Sequence, residues 1–111
     1  MVNSRQKGAR AERQWRDELR AAGYTARRGQ QFAGGTDSPD VICEELDKVI
    51  HFEVKAVERL NLDGAIDQAK RDAKHKTWIV AHKRNRTPWR ITMSADTFFA
   101  LLRDEIGRAH V

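Results

Sequence analysis

The chain has 111 residues, 40% of them apolar and 33% charged, and a formal net charge of +5. This length allows one hydrophobic core and excludes two, so residues 1–111 are expected to form one domain, with residues 1–6 as a flexible N-terminus. No apolar run approaches the ~20 residues that cross a bilayer, and the one cysteine, Cys43, excludes an intrachain disulfide and a thiolate metal site.

The N-terminus is basic and lacks the apolar segment of a signal peptide. We therefore expect a cytoplasmic protein. Its positive charge favours a polyanionic partner, and nucleic acid is favoured over a membrane because no basic amphipathic segment carries a broad exposed apolar face.

The first predicted helix covers residues 7–22. Its apolar residues recur at spacings of four, four and three, which is typical of a helix with one buried stripe, and Gly23 is expected to end it. The stripe consists of Ala11, Trp15, Leu19 and Ala22.

Glu12 flanks the buried stripe of this helix, so its carboxylate can face the sheet that the helix covers. The alternative is an exposed glutamate paired with Arg16, one turn later. The remaining positions are rich in arginine, and such one-signed clustering favours phosphate contact over a merely solvated face. Lys7, Arg10 and Arg13 are therefore candidate DNA-binding residues.

A short strand is predicted over residues 24–28, followed by a glycine-rich loop over residues 30–38. Arg28 lies at the end of the strand and is a further candidate for DNA contact. Gly34 and Gly35 leave backbone amides accessible to a phosphate, and a plain turn is the alternative.

Two strands joined by a tight turn are predicted over residues 38–56. Apolar runs at 41–42 and 49–54 flank the polar residues 44–48, which is typical of a hairpin. If the hairpin is centred near Leu46 and Asp47, Asp40 lies opposite Glu53, with Cβ atoms ~5 Å apart.

Along the second strand of this hairpin, His51, Glu53 and Lys55 share one polar face, and the intervening residues face the core. Two carboxylates at the separation predicted for Asp40 and Glu53 repel unless a cation lies between them, and oxygen ligands suit Mg²⁺. Lys55 could hold a water or stabilise charge on a phosphate. The alternative is an ordinary cross-strand salt bridge, because a Glu-x-Lys triplet alone is expected ~0.4 times by chance. His51 is left without a role.

A second helix is predicted to begin near Asn61 or Asp63, one of which would be its N-cap. Gln68 lies close to the apolar side of this helix. It could orient a water or phosphate, or be a half-buried amide bonded to the backbone. The predicted apolar side consists of Leu62, Ile66, Ala69 and Ala73.

Two further strands are predicted over residues 77–82 and 89–93. The loop between them is strongly basic and stands next to Trp89, a combination that suits contact with a nucleic-acid backbone or an exposed base. A solvated turn is the alternative. The candidate DNA-binding residues in this loop are Lys83, Arg84 and Arg86.

Ser94 is a good N-cap for a final helix over residues 95–106. Four apolar side chains are expected to face inward, and Phe99 is left over for a possible dimer surface. The inward set consists of Phe98, Leu101, Leu102 and Ile106.

The order of these features resembles the PD-(D/E)xK nuclease superfamily: a helix with Glu12, then Pro39-Asp40, then Glu53-Val54-Lys55, then a helix with Gln68. Within the superfamily, the opening segment 7–13, the glycine-rich loop and the short gap between Asp40 and Glu53 are similar to archaeal-type Holliday junction resolvases and their phage relatives. The similarity covers about residues 5–75. It implies an α/β fold with a restriction-endonuclease-like core, in which helices flank a mixed central sheet of about five strands.

The resemblance also implies a metal-dependent endodeoxyribonuclease. Asp40, Glu53 and the Val54 carbonyl would hold Mg²⁺ or Mn²⁺, with Glu12 completing or supporting the metal shell. Lys55 would position the attacking water. Gln68 joins these candidate catalytic residues, and Ser38, before the Pro-Asp pair, joins the candidate DNA contacts.

A resolvase would act on four-way DNA junctions as a homodimer without a small-molecule cofactor, in a bacterial, archaeal or phage-infected host cytoplasm. Two alternatives stay open. One is a flap, fork or nicking nuclease of the same fold. The other is a non-catalytic basic DNA-binding module.

Overall fold

The structure is a computed structural model that describes residues 4–29 and 41–109. Its three helices and five strands form a mixed sheet with helices against it, which confirms the predicted fold class. In chain order the elements are α1 (Ser4–Ala21), β1 (Ala26–Arg28), β2 (Val41–Cys43), β3 (Ile50–Ala56), α2 (Leu62–Ala73), β4 (Thr77–Lys83), β5 (Arg90–Thr92) and α3 (Ala95–Ala109). The predicted glycine-rich loop, Ser38 and Asp40 lie outside the described residues.

Helix α1 begins at Ser4, three residues before the predicted start, and ends as predicted at a glycine. Gly23 has φ of +98°, a left-handed conformation that glycine adopts without a steric cost. The Tyr24 N–H donates to the Leu19 carbonyl and the Gly23 N–H donates to the Arg20 carbonyl, at 3.0 Å each. This pair of bonds satisfies the last carbonyls of the helix and turns the chain into β1.

The strands follow one another across the sheet in chain order, β1-β2-β3-β4-β5. All neighbours are antiparallel except β3 and β4, which are parallel. Parallel neighbours need a crossover connection, and α2 supplies it. The chain therefore returns over one face of the sheet between β3 and β4.

The predicted hairpin forms with the predicted centre. Val41 pairs with Phe52 across β2 and β3, which is the register on which the proposed opposition of Asp40 and Glu53 depends. The turn between the strands is held by backbone bonds from Val49 and Ile50 to the Leu46 carbonyl.

Both faces of the sheet are covered, α1 lying on one and α2 on the other. Trp15 of α1 belongs to the core cluster that contains Phe52 and Val54 of β3, and its ring lies 5.6 Å from that of Phe52. A smaller cluster on the opposite face joins α2 to Val80 of β4. Glu53 pairs with Val80 in register and shares this second face.

The expectation that one face of β3 is polar and only the other belongs to the core is therefore wrong. Because β3 is a central strand paired with a parallel neighbour, the crossover helix covers its Glu53 face, and this face is also shielded from solvent. His51, Phe52, Glu53 and Val54 are all buried in succession.

Helix α2 begins at the predicted cap. The Asn61 side chain accepts a hydrogen bond from the Gly64 N–H at 3.0 Å, and Asn61, not Asp63, is the N-cap. The buried side of the helix is a stripe of alanines, which lets the helix lie close to the sheet, and Leu62 of the predicted apolar side is instead exposed. The stripe consists of Ala65, Ala69 and Ala73.

Helix α3 begins at the predicted cap, with the Ser94 hydroxyl accepting a bond from the Thr97 N–H at 3.1 Å. Two of the four side chains expected to face inward do not, because Phe98 and Leu101 are exposed. Leu102 is half-buried, the side chain of Ile106 lies outside the described residues, and no side chain described in residues 95–104 is buried. A helical spacing predicts that an apolar face exists but not which surface covers it. Among the helices of the described chain, none is long and apolar enough to cross a membrane.

Candidate active site

A buried carboxylate on the central strand is the centre of the site. Glu53 is 2% exposed, so its charge is almost fully removed from water. Its Oε2 lies 3.8 Å from the Lys55 ammonium, two residues along the same strand. Lys55 itself is only partly buried. The buried carboxylate of Glu53 therefore lies next to a lysine that is partly exposed to solvent.

The other oxygen of Glu53 contacts a histidine. His51 Nε2 lies 3.4 Å from Glu53 Oε1, and His51 is 7% exposed. Because an ionised carboxylate only accepts hydrogen bonds, the imidazole must be the donor in this contact. Asp72 near the end of α2 is close by, and ligand atoms of Asp72, His51 and Glu53 all lie within 4.8 Å of one another.

A second buried carboxylate comes from α1. Glu12 is 5% exposed, and its Oε1 lies 3.7 Å from Arg28 of β1. The predicted alternative, an exposed Glu12 paired with Arg16, is wrong, because Arg16 instead pairs with Asp17 at 3.0 Å. The second oxygen of Glu12 and the Nε of Arg28 are buried and have no hydrogen-bond partner in the described parts of the chain.

Burial raises the pKa of Glu12 above its ordinary value. The Arg28 and Arg13 cations oppose this rise, and the negative charge of Glu53 adds to it. The interaction with Glu53 places the two carboxylates in one electrostatic environment, although they come from elements distant in sequence. Carboxylates that interact electrostatically are common where a site binds a cation.

Comparison with known proteins finds a family and solved structures to which the chain is similar. A family model described as the archaeal Holliday junction resolvase (Hjc) matches residues 3–99. Among solved structures, the chain is similar to Hjc of Archaeoglobus fulgidus, a Holliday junction resolvase from an archaeal hyperthermophile. The two share 30% identity with a TM-score of 0.57, over 78% of this chain and 72% of that one.

The chain belongs to the Hjc family. The resemblance predicted from residues 5–75 is therefore confirmed, and the family match extends it through most of the last third of the chain. No curated protein matches the chain.

The donor set of this Hjc-family chain fits a hard divalent cation. Glu53 offers a carboxylate that a cation nearby would stabilise, and Glu12 offers an oxygen that accepts no hydrogen bond from residues 4–29 and 41–109. Oxygen donors are the ligands that Mg²⁺ prefers, and Mn²⁺ accepts them as well. Asp40, the other predicted ligand, lies outside the described residues.

Two further predicted site residues, Lys55 and Gln68, lie on the Glu53 face of the sheet, and of these two described residues only Lys55 has a polar contact with Glu53. Lys55 lies beside Glu53 as expected. Gln68 is half-buried on α2, over the same face, and its side chain makes no hydrogen bond within residues 4–29 and 41–109. A role for Gln68 stays a prediction.

The predicted DNA-contacting residues lie on two parts of the Hjc-family fold. On α1 the basic residues Lys7, Arg10 and Arg13 are exposed, and Arg28 of β1 is tied to Glu12. In the turn after β4 the arginines are exposed, whereas the Lys83 ammonium lies 5.8 Å from the centre of the Trp89 ring. Those arginines are Arg84 and Arg86. Gly34, Gly35 and Ser38 lie outside the described residues.

Of the two further neighbours of Glu53, sequence reasoning left the role of His51 open and missed Asp72. His51 was in phase with Glu53 on the strand, but a histidine at a strand position gives no sign of which group it contacts. Asp72 stands four residues after Gln68 on α2, so it shares the helix face on which a partner for the strand was expected. The helical repeat was the signal that could have found it.

Proposed function

We propose that the chain is a metal-dependent endodeoxyribonuclease that cuts four-way DNA junctions. The observation that carries this proposal is the buried Glu53 carboxylate beside Lys55, with Glu12 in the same electrostatic environment. Membership of the Hjc family supports a junction as the substrate.

The reaction is hydrolysis of a phosphodiester. A water oxygen forms a bond to phosphorus, the bond from phosphorus to the 3′ oxygen breaks, and the leaving oxygen takes up a proton. The pentacovalent transition state carries more negative charge on the phosphate oxygens than the substrate does. A site for this reaction must orient the water and stabilise that charge.

Mg²⁺ or Mn²⁺ would be held by Glu53, Asp40 and the Val54 carbonyl, with Glu12 completing or supporting the set. When bound, the ion supplies Lewis-acid stabilisation of the charge that develops on the phosphate oxygens. Glu12 is suited to this role because one of its buried oxygens has no hydrogen-bond partner among the residues that the structure describes. Arg28 holds the other oxygen and so fixes the orientation of the carboxylate.

Lys55 positions the attacking water or stabilises the developing charge, because its ammonium is anchored by Glu53 yet open to solvent. Gln68, on the helix over the same face, would orient the water or a phosphate oxygen.

The exposed basic residues of α1 and of the turn after β4 would contact the DNA backbone. Each such contact releases counterions and makes affinity depend on salt. We assign the same role to Gly34, Gly35 and Ser38, whose small side chains allow a phosphate to approach the backbone.

We further propose that two chains act together as a two-fold dimer, because paired cuts in a junction require two active sites. The exposed apolar face of α3 is suited to the contact. Phe98 is 49% and Leu101 45% exposed, and a helix of this length without a buried apolar face is marginal in water. A second copy of the chain would cover this face.

Substitution of the metal ligands tests the catalytic proposal. We expect Glu53→Gln and Asp40→Asn each to lower Mg²⁺-dependent junction cleavage by at least about a hundredfold. Binding of the junction in EDTA should stay within about threefold of wild type, since the cations that contact phosphate are unchanged. Glu44→Gln, in the exposed turn before β3, is the matched control.

Normal cleavage by Glu53→Gln would contradict the assignment of the site. A wild-type chain that binds the junction tightly but cuts nothing in Mg²⁺ or Mn²⁺ would indicate a DNA-binding module instead.

A further inference from the structure

A groove beside the proposed active site is not explained by the contacts described so far. It has a volume of about 270 Å³, slightly below the ~300–1,000 Å³ of pockets that enclose drug-sized ligands. One of its walls is apolar, formed by Val57, Leu60 and Leu62 in the connection from β3 to α2. The other wall is basic, and includes Arg84 and Arg90.

The strand register connects this groove to the proposed active site. Lys55 of β3 pairs with His82 of β4, and His82 pairs with Arg90 of β5. Directly paired residues share a face of the sheet, and neighbouring strands are ~4.8 Å apart. Lys55, His82 and Arg90 therefore form a row that runs from Glu53 to the edge of the sheet.

The centre of the row is uncharged near neutral pH. Burial, with a further contribution from Arg90, lowers the pKa of His82 below its ordinary value. The ring is held in place by a 2.8 Å contact between its Nε2 and the Thr92 hydroxyl. The row thus has a cation at each end, Lys55 and Arg90, and a neutral ring between them.

The connection after β3 is fixed where it forms the groove. The Glu58 carboxylate accepts a hydrogen bond from the Asn85 N–H at 3.1 Å, which ties this connection to the turn after β4. Among the described residues, no carboxylate lines the groove. The charge of the walls is therefore complementary to a phosphodiester, and the two sides are held at a defined spacing.

We propose that this groove binds one unstacked nucleotide of the strand being cut, next to the phosphate that is hydrolysed. Its phosphate lies against Arg84 and Arg90, and its sugar and base lie against Val57, Leu60 and Leu62. A stacked duplex presents mainly its charged backbone to a protein surface and would leave the apolar wall without a partner. An unpaired nucleotide offers both the charge and the apolar surface.

This inference rests on the proposed nuclease function and adds a reason for preferring branched DNA. At the branch point of a junction, bases can leave the stack at a lower cost than within a continuous duplex. A groove that requires an unstacked nucleotide beside Lys55 would favour cutting near the branch.

The test is binding of a four-way junction labelled with 2-aminopurine near the branch, in EDTA, compared with linear duplex. The decisive variant is Val57→Ser with Leu62→Ser, which changes no charge and alters two exposed side chains. We expect junction affinity to fall about five- to tenfold, the fluorescence increase of the unstacked base to disappear, and duplex affinity to stay unchanged. Val49→Ser, an exposed position at the opposite end of β3, is the control.

Arg90→Ala tests the charged wall. It should weaken binding and lower the slope of log affinity against log salt by about 1, whereas Lys48→Ala, at the opposite end of the sheet, should leave junction affinity close to wild type. Wild-type affinity and fluorescence in the Val57→Ser, Leu62→Ser variant would overturn the inference, even if junctions are still cut in Mg²⁺. A wild-type chain that neither binds nor cuts junctions would overturn the nuclease proposal as well.

Discussion

Glu12 and Glu45 have pKa shifts of opposite sign, and each shift has a separate physical cause. Burial raises the pKa of Glu12. The pKa of Glu45 is lowered because its carboxylate accepts hydrogen bonds, first of all from the Thr25 backbone N–H at 2.9 Å. Ionisation therefore opposes folding at Glu12 and supports it at Glu45.

We expect Glu12→Gln to raise the melting temperature at pH 7–8. Because the folded-state pKa of Glu12 lies above the unfolded value, the native state binds more protons between the two values, and stability falls as the pH rises through them. The glutamine carbonyl can still accept a bond from Arg28 without the buried charge. The gain should vanish as the pH falls towards the ordinary value of about 4.5, measured by thermal unfolding across pH.

Glu45→Gln is the control with the opposite sign, and it should lower the melting temperature at neutral pH. Equal melting temperatures for Glu12→Gln and wild type at pH 7.5 would contradict the account of Glu12. A residue whose ionised form costs stability is expected where function requires it.

His51 contacts Glu53, the proposed metal ligand, and so helps to orient its carboxylate. We expect His51→Ala to lower cleavage about 10–100-fold and to raise the Mg²⁺ concentration needed for half-maximal rate, since groups that orient a ligand have effects of this size. Excess Mg²⁺ should restore part of the rate. His75→Ala, an exposed histidine after α2, is the matched control, and an unchanged Mg²⁺ requirement in His51→Ala would show that His51 only fills space.

At the scale of the element, α2 depends on its cap. The Asn61 carboxamide accepts the Gly64 N–H, and a Cβ added at Gly64 would lie 2.8 Å from the Asn61 Nδ2. Such a contact is too short for the cap to keep its position. Glycine at this helical position therefore protects the cap, although alanine favours a helix by ~1 kcal/mol over glycine.

The cap can be measured by a double-mutant cycle. We expect Asn61→Ala to cost about 1 kcal/mol of unfolding free energy, and Gly64→Ala to be close to neutral, because the helical preference of alanine and the loss of the cap offset each other. In the Asn61→Ala background, Gly64→Ala should stabilise by ~0.5–1 kcal/mol. Chemical denaturation gives the unfolding free energy of wild type, the two single variants and the double variant. Additive effects of the two substitutions would show that a Cβ at position 64 does not disturb the Asn61 cap.

Substitutions on the exposed face of helix α3 test the proposed dimer. Phe98→Ser with Leu101→Ser should convert a dimer to a monomer in sedimentation experiments and leave the circular dichroism of the sheet domain intact, because neither side chain packs in the described core. Val49→Ser, at 57% exposure, is a control for the loss of exposed apolar surface. An unchanged sedimentation profile would remove α3 from the interface.

The elements differ in how far the sequence predicts them. The cap at Asn61, the glycine end of α1 and the turn of the β2–β3 hairpin follow from local chemistry, and the structure has all three. The burial of the Glu53 face depends on the parallel pairing of β3 with β4, a long-range contact that the period of a strand does not encode. The exposed face of α3 was missed for the same reason.

At the scale of the whole molecule, the fold combines a sheet that helices cover on both faces with an exposed surface rich in basic residues. The ordered residues Glu12, Glu53 and Lys55 predicted the family from short motifs, and family membership is confirmed. Their side-chain contacts could not be predicted, because Glu12 pairs with Arg28 of β1 and Glu53 contacts His51. Side-chain partners of this kind depend on the packing of three separate elements.

Substrate choice is the property that separates a junction resolvase from other nucleases of this fold. The most direct measurement is cleavage of labelled four-way junction, fork, flap and linear duplex DNA in parallel, in Mg²⁺ and in EDTA. We predict paired, symmetric cuts in the junction in Mg²⁺, little cutting of the other substrates and none of any substrate in EDTA. Equal cutting of linear duplex, or cutting that continues in EDTA, would contradict a metal-dependent nuclease that selects four-way junctions.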